Sequence, residues 1–181
     1  MFIKFYTFHC IFMLSTNKKQ LFHNKLSHLI PIHWQIILFN EGSLTEILNY
    51  LNGKKTIFQM YQKNNYTLRN NRYLRCIWIE SCLYTKMIFA QSLWQFKYTN
   101  NSKQKNKLEY NIPVGKLIIN TEVDIYKQIH EIYYGYSIEL ENKLNYHKAI
   151  WGRKYTLYYN HKLFITIQEF FSPNITNFFI H

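Results

Sequence analysis

Two spacings of apolar residues alternate along this chain and divide it into helical and extended segments. Leu44, Ile47, Leu48 and Leu51 recur at i, i+3, i+4 and i+7, which draws an apolar stripe down one helix face. Ser43-Leu44-Thr45-Glu46 has the form of a capping box. The Ser43 hydroxyl can accept from the backbone N–H of Glu46, and the Glu46 carboxylate can reach back to Ser43. Gly53 is a fitting stop. Residues 33–40 are apolar enough for one more short buried helix. Two short helices with a tight connection are therefore expected over 33–52.

Beyond them the period shortens to two. Thr56 to Gln62 reads as a strand and Lys63-Asn64-Asn65 as a turn. Tyr73 to Glu80 and Leu83 to Phe96 are β-branched and aromatic runs separated by Ser81-Cys82, the pattern of a hairpin. A polar loop spans 99–107, and Pro113 opens a short helix through Asn120. Glu122 to Tyr134 is read as a strand on its Val, Ile and Tyr content. Ile150 to Tyr159 and Lys162 to Phe171 form a last hairpin around Asn160-His161, ended by Pro173. Helices followed by hairpin-linked strands imply an α+β domain with an antiparallel sheet.

No repeat or linker interrupts the run, so 40–175 is taken as one domain, 1–39 as an N-terminal extension and 176–181 as a tail. Met1 to Leu14 is apolar and aromatic but too short to span a bilayer, and no small-residue cleavage pattern follows it. It is expected to cover the core as a strand or helix, or to fray, and no stable membrane insertion is expected.

Alternation also exposes charges in the wrong place. In the last strand Leu163, Ile165, Ile167, Glu169 and Phe171 share a face, which puts a carboxylate among apolar neighbours. Arg75 likewise shares a face with Tyr73, Ile77 and Ile79. Arginine is scarce: Arg69, Arg72, Arg75 and Arg153 stand among 22 basic side chains. A guanidinium is favoured over an ammonium where a carboxylate is to be held by two parallel bonds. An inward Arg75 and Glu169 fit a buried anion pocket with an acid beside it. They fit equally a structural Arg75–Glu169 ion pair, which on the residues alone is the plainer account, because buried charges are most often simply paired.

The remaining composition narrows the chemistry. The formal net charge of +12 favours anionic partners, but the lysines are scattered along the chain. A solvated basic surface accounts for that better than a nucleic-acid patch, and no nucleic acid is expected as partner. Cys10, Cys76 and Cys82 form no CxxC, and His23, His28 and His33 fall at no metal-ligand spacing. No metal, no disulfide framework and a reducing compartment are expected. No GxSxG elbow or Gly-rich phosphate loop is present.

At its charged strands the chain resembles the chorismate lyase family. The resemblance rests on Trp151-Gly152-Arg153-Lys154-Tyr155 with Lys162 to Pro173, and on Arg72 to Ile79 with Ala90-Gln91-Ser92-Leu93-Trp94. Pro113-Val114-Gly115-Lys116 and Ser43-Leu44-Thr45 are shorter matches. Ile-Trp after the arginine and Ala-X-Ser-X-Trp on the next strand are most similar to the cyanobacterial and algal-plastid branch, which includes chloroplast reading-frame proteins. The AT-rich residue usage fits a plastid-encoded member, for which a stromal location is expected.

The resemblance implies an antiparallel sheet with helical flaps over a buried ligand and no cofactor. It implies chorismate as substrate, 4-hydroxybenzoate and pyruvate as products, and a monomer that feeds quinone synthesis, with plastoquinone the quinone of a plastid. By position, Arg75 matches an arginine that clamps a substrate carboxylate, and Glu169 a glutamate near the ring C4 oxygen. Leu44 and Val114, with the adjoining Gly115, match contacts to the ligand. Arg153 is expected to act structurally or behind the ligand contacts. Apolar surroundings are expected to raise the Glu169 pKa. One departure stands out: the bacterial pattern has a second arginine where this chain has Gln91 or Ser92. A protein that binds aromatic carboxylates without turnover is the alternative, and a basic nucleic-acid-binding protein a more distant one.

Overall fold

The computed structural model describes residues 8–15, 29–51, 59–68, 72–80, 85–95, 125–159 and 162–179. In chain order these form strand β1 (His9–Ser15), helices α1 (Ile32–Leu38) and α2 (Leu44–Leu51), and strands β2 (Gln59–Leu68), β3 (Arg72–Glu80), β4 (Lys86–Gln95) and β5 (Ile125–Tyr136). Helix α3 (Ile138–Leu144), strands β6 (Ile150–Tyr159) and β7 (Lys162–Phe171), and a 3-10 helix (Pro173–Phe179) complete them. The strands make one seven-stranded sheet in the order β1-β5-β6-β7-β4-β3-β2. Every neighbouring pair is antiparallel. This is the expected α+β architecture, with hairpins β2–β3, β3–β4 and β6–β7 and a central β4–β7 pairing that closes two distant stretches of chain.

Register assigns every inward side chain. Paired residues across an antiparallel sheet share a face, and alternate residues along a strand share it too. One face carries Ile77 and Ile79 of β3, Ile88 and Ala90 of β4, Phe171 of β7, Trp151 of β6 and Ile132 of β5. Trp34, Ile37 and Leu38 of α1, Leu44 and Leu48 of α2, and Ile175 of the 3-10 helix roof that face. The stripe read from Leu44 and Leu48 is therefore the surface α2 lays on the sheet. The opposite face carries Cys76, Trp78, Phe89, Phe170 and Tyr133, covered by Leu140 and Leu144 of α3.

Several expectations are corrected. The Lys63-Asn64-Asn65 turn is absent: β2 runs through it, and the pairing with β3 slips between Gln62 and Asn65. The polar triplet marks a bulge, which inserts a residue without reversing the chain. Helix α3 was not foreseen. Its signals are modest: acidic Glu139 and Glu141 in the first turn, Leu140 and Leu144 one turn apart, and a left-handed Asn145 at its end. Within residues 1–39, whose apolar start was expected to cover the core as a strand or helix or to fray, the described residues form β1, paired with β5, and α1 in the roof. In the 176–181 tail, Phe178 and Phe179 pack on the same core. The helix expected after Pro113 lies outside the described residues.

Gly152 shows how the sheet admits its aromatics. A Cβ built there would clash with the Cε2 edge of the Tyr133 ring and lie 2.8 Å from the Glu169 carbonyl oxygen. Tyr133 lies across the bare backbone and its Oη donates to the Arg153 carbonyl at 3.1 Å. Gly152→Ala should therefore displace a buried ring. A loss of about 1–3 kcal/mol is expected, as for other overpacked cores, read as a lowered midpoint in urea with an unchanged slope.

Candidate functional site

The roofed face holds four residues that a purely apolar core would not. Arg75 on β3 is opposite Ser92 on β4, which is opposite Ile167 on β7, which is opposite Tyr155 on β6. One step along, Ile77 faces Ala90, Ala90 faces Glu169, and Glu169 faces Arg153. Arg75, Ser92, Glu169 and Arg153 are all buried on this face. The inward orientation of Arg75 and Glu169, argued from alternation, is thus a property of the sheet.

Glu169 takes its ion pair from Arg153, not from Arg75. Arg153 is 0% exposed, and its Nε donates to Glu169 Oε2 at 2.7 Å. The register explains the choice, since Arg153 is the direct cross-strand partner of Glu169. Tyr155 Oη donates to the other carboxylate oxygen, Oε1, at 2.9 Å. Arg153 Nη1 turns to the roof and donates to the carbonyls of Ile37 (2.8 Å), Leu38 (3.3 Å) and Asn40 (3.1 Å). Those are the last carbonyls of α1 and the turn beyond it, where a helix leaves acceptors unfilled and carries partial negative charge. One guanidinium therefore ties the roof to the sheet and orients the acid. The aromatic rings of Tyr155 and Phe171 flank it at 5.2 and 5.6 Å.

The electrostatics reverse one expectation. Burial by itself would push the Glu169 carboxyl up. The Arg153 guanidinium, the Lys127 ammonium and hydrogen bonds from Arg153 and Tyr155 outweigh it and hold the carboxyl below its ordinary value of 4.5. Glu169 is an anion at neutral pH and can accept, but not donate, a proton. Tyr155 moves the other way: burial and the neighbouring Glu169 push its hydroxyl well above 10, so it stays a donor. Among the described residues, Arg153 Nη2 is buried with no hydrogen-bond partner. An unfilled donor and a carboxylate with spare lone pairs thus sit in one ion pair.

Lys127 was missed by the sequence reading. It lies on β5 opposite Leu157, on the same face, and its Nζ donates to Asn40 O at 2.9 Å. Nζ stands 4.3 Å from the centre of the Tyr155 ring. Burial, then the Arg153 charge, lower its pKa to about 7, against the pull of Glu169 and Glu41. The signal was available, since Lys127 interrupts an inward alternation with Ile125 and Ile129 just as Glu169 does on β7.

The other expected site residues divide. Ser92 is on the roofed face, where its Oγ accepts from Trp94 Nε1 at 2.9 Å and donates to the Arg75 carbonyl at 3.4 Å. Gln91 is not: it points to the opposite face, where its Nε2 lies 3.7 Å from Cys76 Sγ. Of the two residues at the position of the missing arginine, Ser92 alone faces the site. Leu44 is in the roof, in the apolar cluster with Ile77 and Ala90. Val114 and Gly115 lie outside the described residues. No group of three or more metal-ligating side chains occurs among the described residues, and no described helix is long and apolar enough to cross a membrane.

A family model described as chorismate pyruvate-lyase Rv2949c-like matches residues 38–179. The chain is 43% identical over 155 residues to "Uncharacterized protein ycf21" of Antithamnion sp., covering 85% of this chain and 86% of that one. It is 36% identical over 181 residues to the ycf21 protein of Porphyra purpurea, covering 92% and 97%. Among solved structures, a GntR-family transcriptional regulator from Enterococcus faecalis V583 aligns with a TM-score of 0.44 at 8% identity, covering 64% of this chain and 94% of that one.

Proposed function

The chain belongs to the chorismate pyruvate-lyase Rv2949c-like family, and we propose that it eliminates pyruvate from chorismate to give 4-hydroxybenzoate. The observation that carries this reading is the buried Arg153–Glu169 pair, with its unfilled Nη2 donor, on the same sheet face as Arg75. A hydroxyl both donates and accepts, so it matches a site that offers a carboxylate acceptor beside an N–H donor. A carboxylate on the far side of the same ring matches the guanidinium of Arg75.

Placed this way, the ring carboxylate lies on Arg75 and the C4 hydroxyl on Glu169 and Arg153. Leu44 and the Ser92–Ile167 floor hold the ring between them. The C4–H bond breaks, its electrons complete the aromatic ring, and the C3–O ether bond breaks with its pair on the departing enolpyruvate. That enolate takes up a proton on its methylene carbon and becomes pyruvate. Aromatisation supplies the driving force, so the protein's part is to hold the reactive conformer in a water-poor site. Anionic Glu169 is suited to accept the C4 proton or to fix the hydroxyl. The α1–α2 turn, held through its carbonyls, belongs to the cover that opens for release. The ycf21 relatives support placing the protein in a plastid, where the product would feed quinone synthesis.

Purified protein given chorismate should release pyruvate and 4-hydroxybenzoate in equal amounts, read by a coupled pyruvate assay and by chromatography. Both should fall to background in Arg75→Ala and Glu169→Ala. Folded protein that binds 4-hydroxybenzoate yet yields no pyruvate would instead establish a carboxylate-binding protein without turnover.

A further inference from the structure

Chorismate is a dianion, and Arg75 accounts for one of its carboxylates. On the same face, Ser92 stands opposite Arg75 and is neutral. A second cation must come from elsewhere on that face, or the enolpyruvyl carboxylate is buried without a counter-charge, which is costly.

We propose that Lys127 holds the enolpyruvyl carboxylate and so distinguishes chorismate from its product. This rests on the lyase reading above. The cross-strand row Arg75, Ser92, Ile167, Tyr155 runs over β3, β4, β7 and β6. Three strand spacings of about 4.8 Å separate its ends. Arg75 stands at one end, and the Lys127 ammonium hangs 4.3 Å from the Tyr155 ring centre at the other. Between the two cations lie a small hydroxyl, a branched aliphatic and an aromatic ring, a floor suited to a flat ring whose side arm carries the second carboxylate. The C3 and C4 substituents of chorismate are neighbours. With the C4 hydroxyl on Glu169 and Arg153, the neighbouring C3 ether is the substituent that reaches toward Lys127 over the Tyr155 ring. An ammonium has three donors, and the structure shows one of Lys127's in use, to Asn40 O at 2.9 Å. 4-Hydroxybenzoate lacks the second carboxylate, which leaves on pyruvate, so its departure is not held back by this cation.

The groups facing Lys127 set its pH response. They are Arg153 and the Tyr155 ring from β6, Glu169 from β7, and Asn40 O and Glu41 from the α1–α2 turn. Burial and Arg153 bring its pKa to about 7. An incoming carboxylate favours the protonated form, so chorismate binding takes up a proton and weakens as pH rises past that value.

The test is paired titration of wild-type protein and of Lys127→Met with chorismate and with 4-hydroxybenzoate, alongside KM and kcat. Lys127→Met should weaken chorismate binding and raise its KM about ten- to hundredfold. The 4-hydroxybenzoate Kd should stay within about twofold, and Lys127→Arg should recover most of the loss. Lys154→Met, which removes a cation from the opposite face, should leave both ligands unaffected. Equal loss for both ligands, or for neither, overturns the assignment even where wild-type protein releases pyruvate. Wild-type protein that binds both ligands without releasing pyruvate overturns the lyase reading, and the binding ratio still decides Lys127. Should Lys127→Met fail to fold, the wild-type protein decides. Its chorismate affinity should fall between about pH 6 and about pH 8.5 while that for 4-hydroxybenzoate holds, and parallel curves overturn the proposal.

Discussion

Arg153→Met should be the most destabilising conservative-volume change in the molecule. It removes a fully buried cation that pairs with Glu169 and fills three carbonyls at the end of α1. Breaking one side of a buried ion pair costs about 3–5 kcal/mol, because the partner charge is left uncompensated. In a chain of this size that corresponds to a drop of roughly 10 °C in Tm. The carbonyls of Ile37, Leu38 and Asn40 lose their donor at the same time, so the roof should loosen, seen as faster amide exchange in α1 than in α3. Arg153→Met combined with Glu169→Leu should regain a large part of the loss, since no lone charge remains. If the double variant is no more stable than the single, the carbonyl contacts to α1 carry the energy and the ion pair does not. The pH response has a definite sign. The folded-state carboxyl of Glu169 lies below its ordinary 4.5, so its contribution is whole above that pH and is lost as pH falls through the folded value. Wild-type protein should therefore lose stability below pH 4.5 more steeply than the double variant does.

This central pair marks where the sequence stops being legible. Alternation placed Glu169 and Arg75 on the inward face, and the register bears it out. Strand bounds came out well for β6 and β7, because an aromatic and β-branched run between a short loop and Pro173 has few other solutions. What alternation cannot give is which strands become neighbours. Arg153 and Glu169 are 16 residues apart in a hairpin, and a hairpin register would have paired them. Lys127 instead meets Asn40, 87 residues away, only because β5 lies beside β6 and α1 ends above them. The pKa direction of Glu169 needed that hairpin register and not alternation alone: an apolar face was visible, while the cation and hydroxyl that overrule it sit across the turn on β6. The choice between Gln91 and Ser92 needed the pleat phase of β4 relative to Arg75, which the cross-strand pairing fixes.

Arg75→Lys should separate chemistry from folding. It keeps the positive charge on β3 but replaces a planar fork by a single point of attachment. Charge-assisted bonds are worth about 1.5–3 kcal/mol each, so loss of one of a parallel pair should lower kcat/KM for chorismate roughly ten- to hundredfold. The same loss should appear in the Kd of 4-hydroxybenzoate, because the ring carboxylate is common to substrate and product. That is the opposite of what is expected of Lys127→Met, so the two variants together test whether the two carboxylates bind at the two ends of the row. Stability should change by less than about 1 kcal/mol, since the charge remains and the ion pair that anchors the roof belongs to Arg153. A fall in Tm as large as the fall in activity would mean that Arg75 is a structural cation, and that the carboxylate clamp lies on another strand.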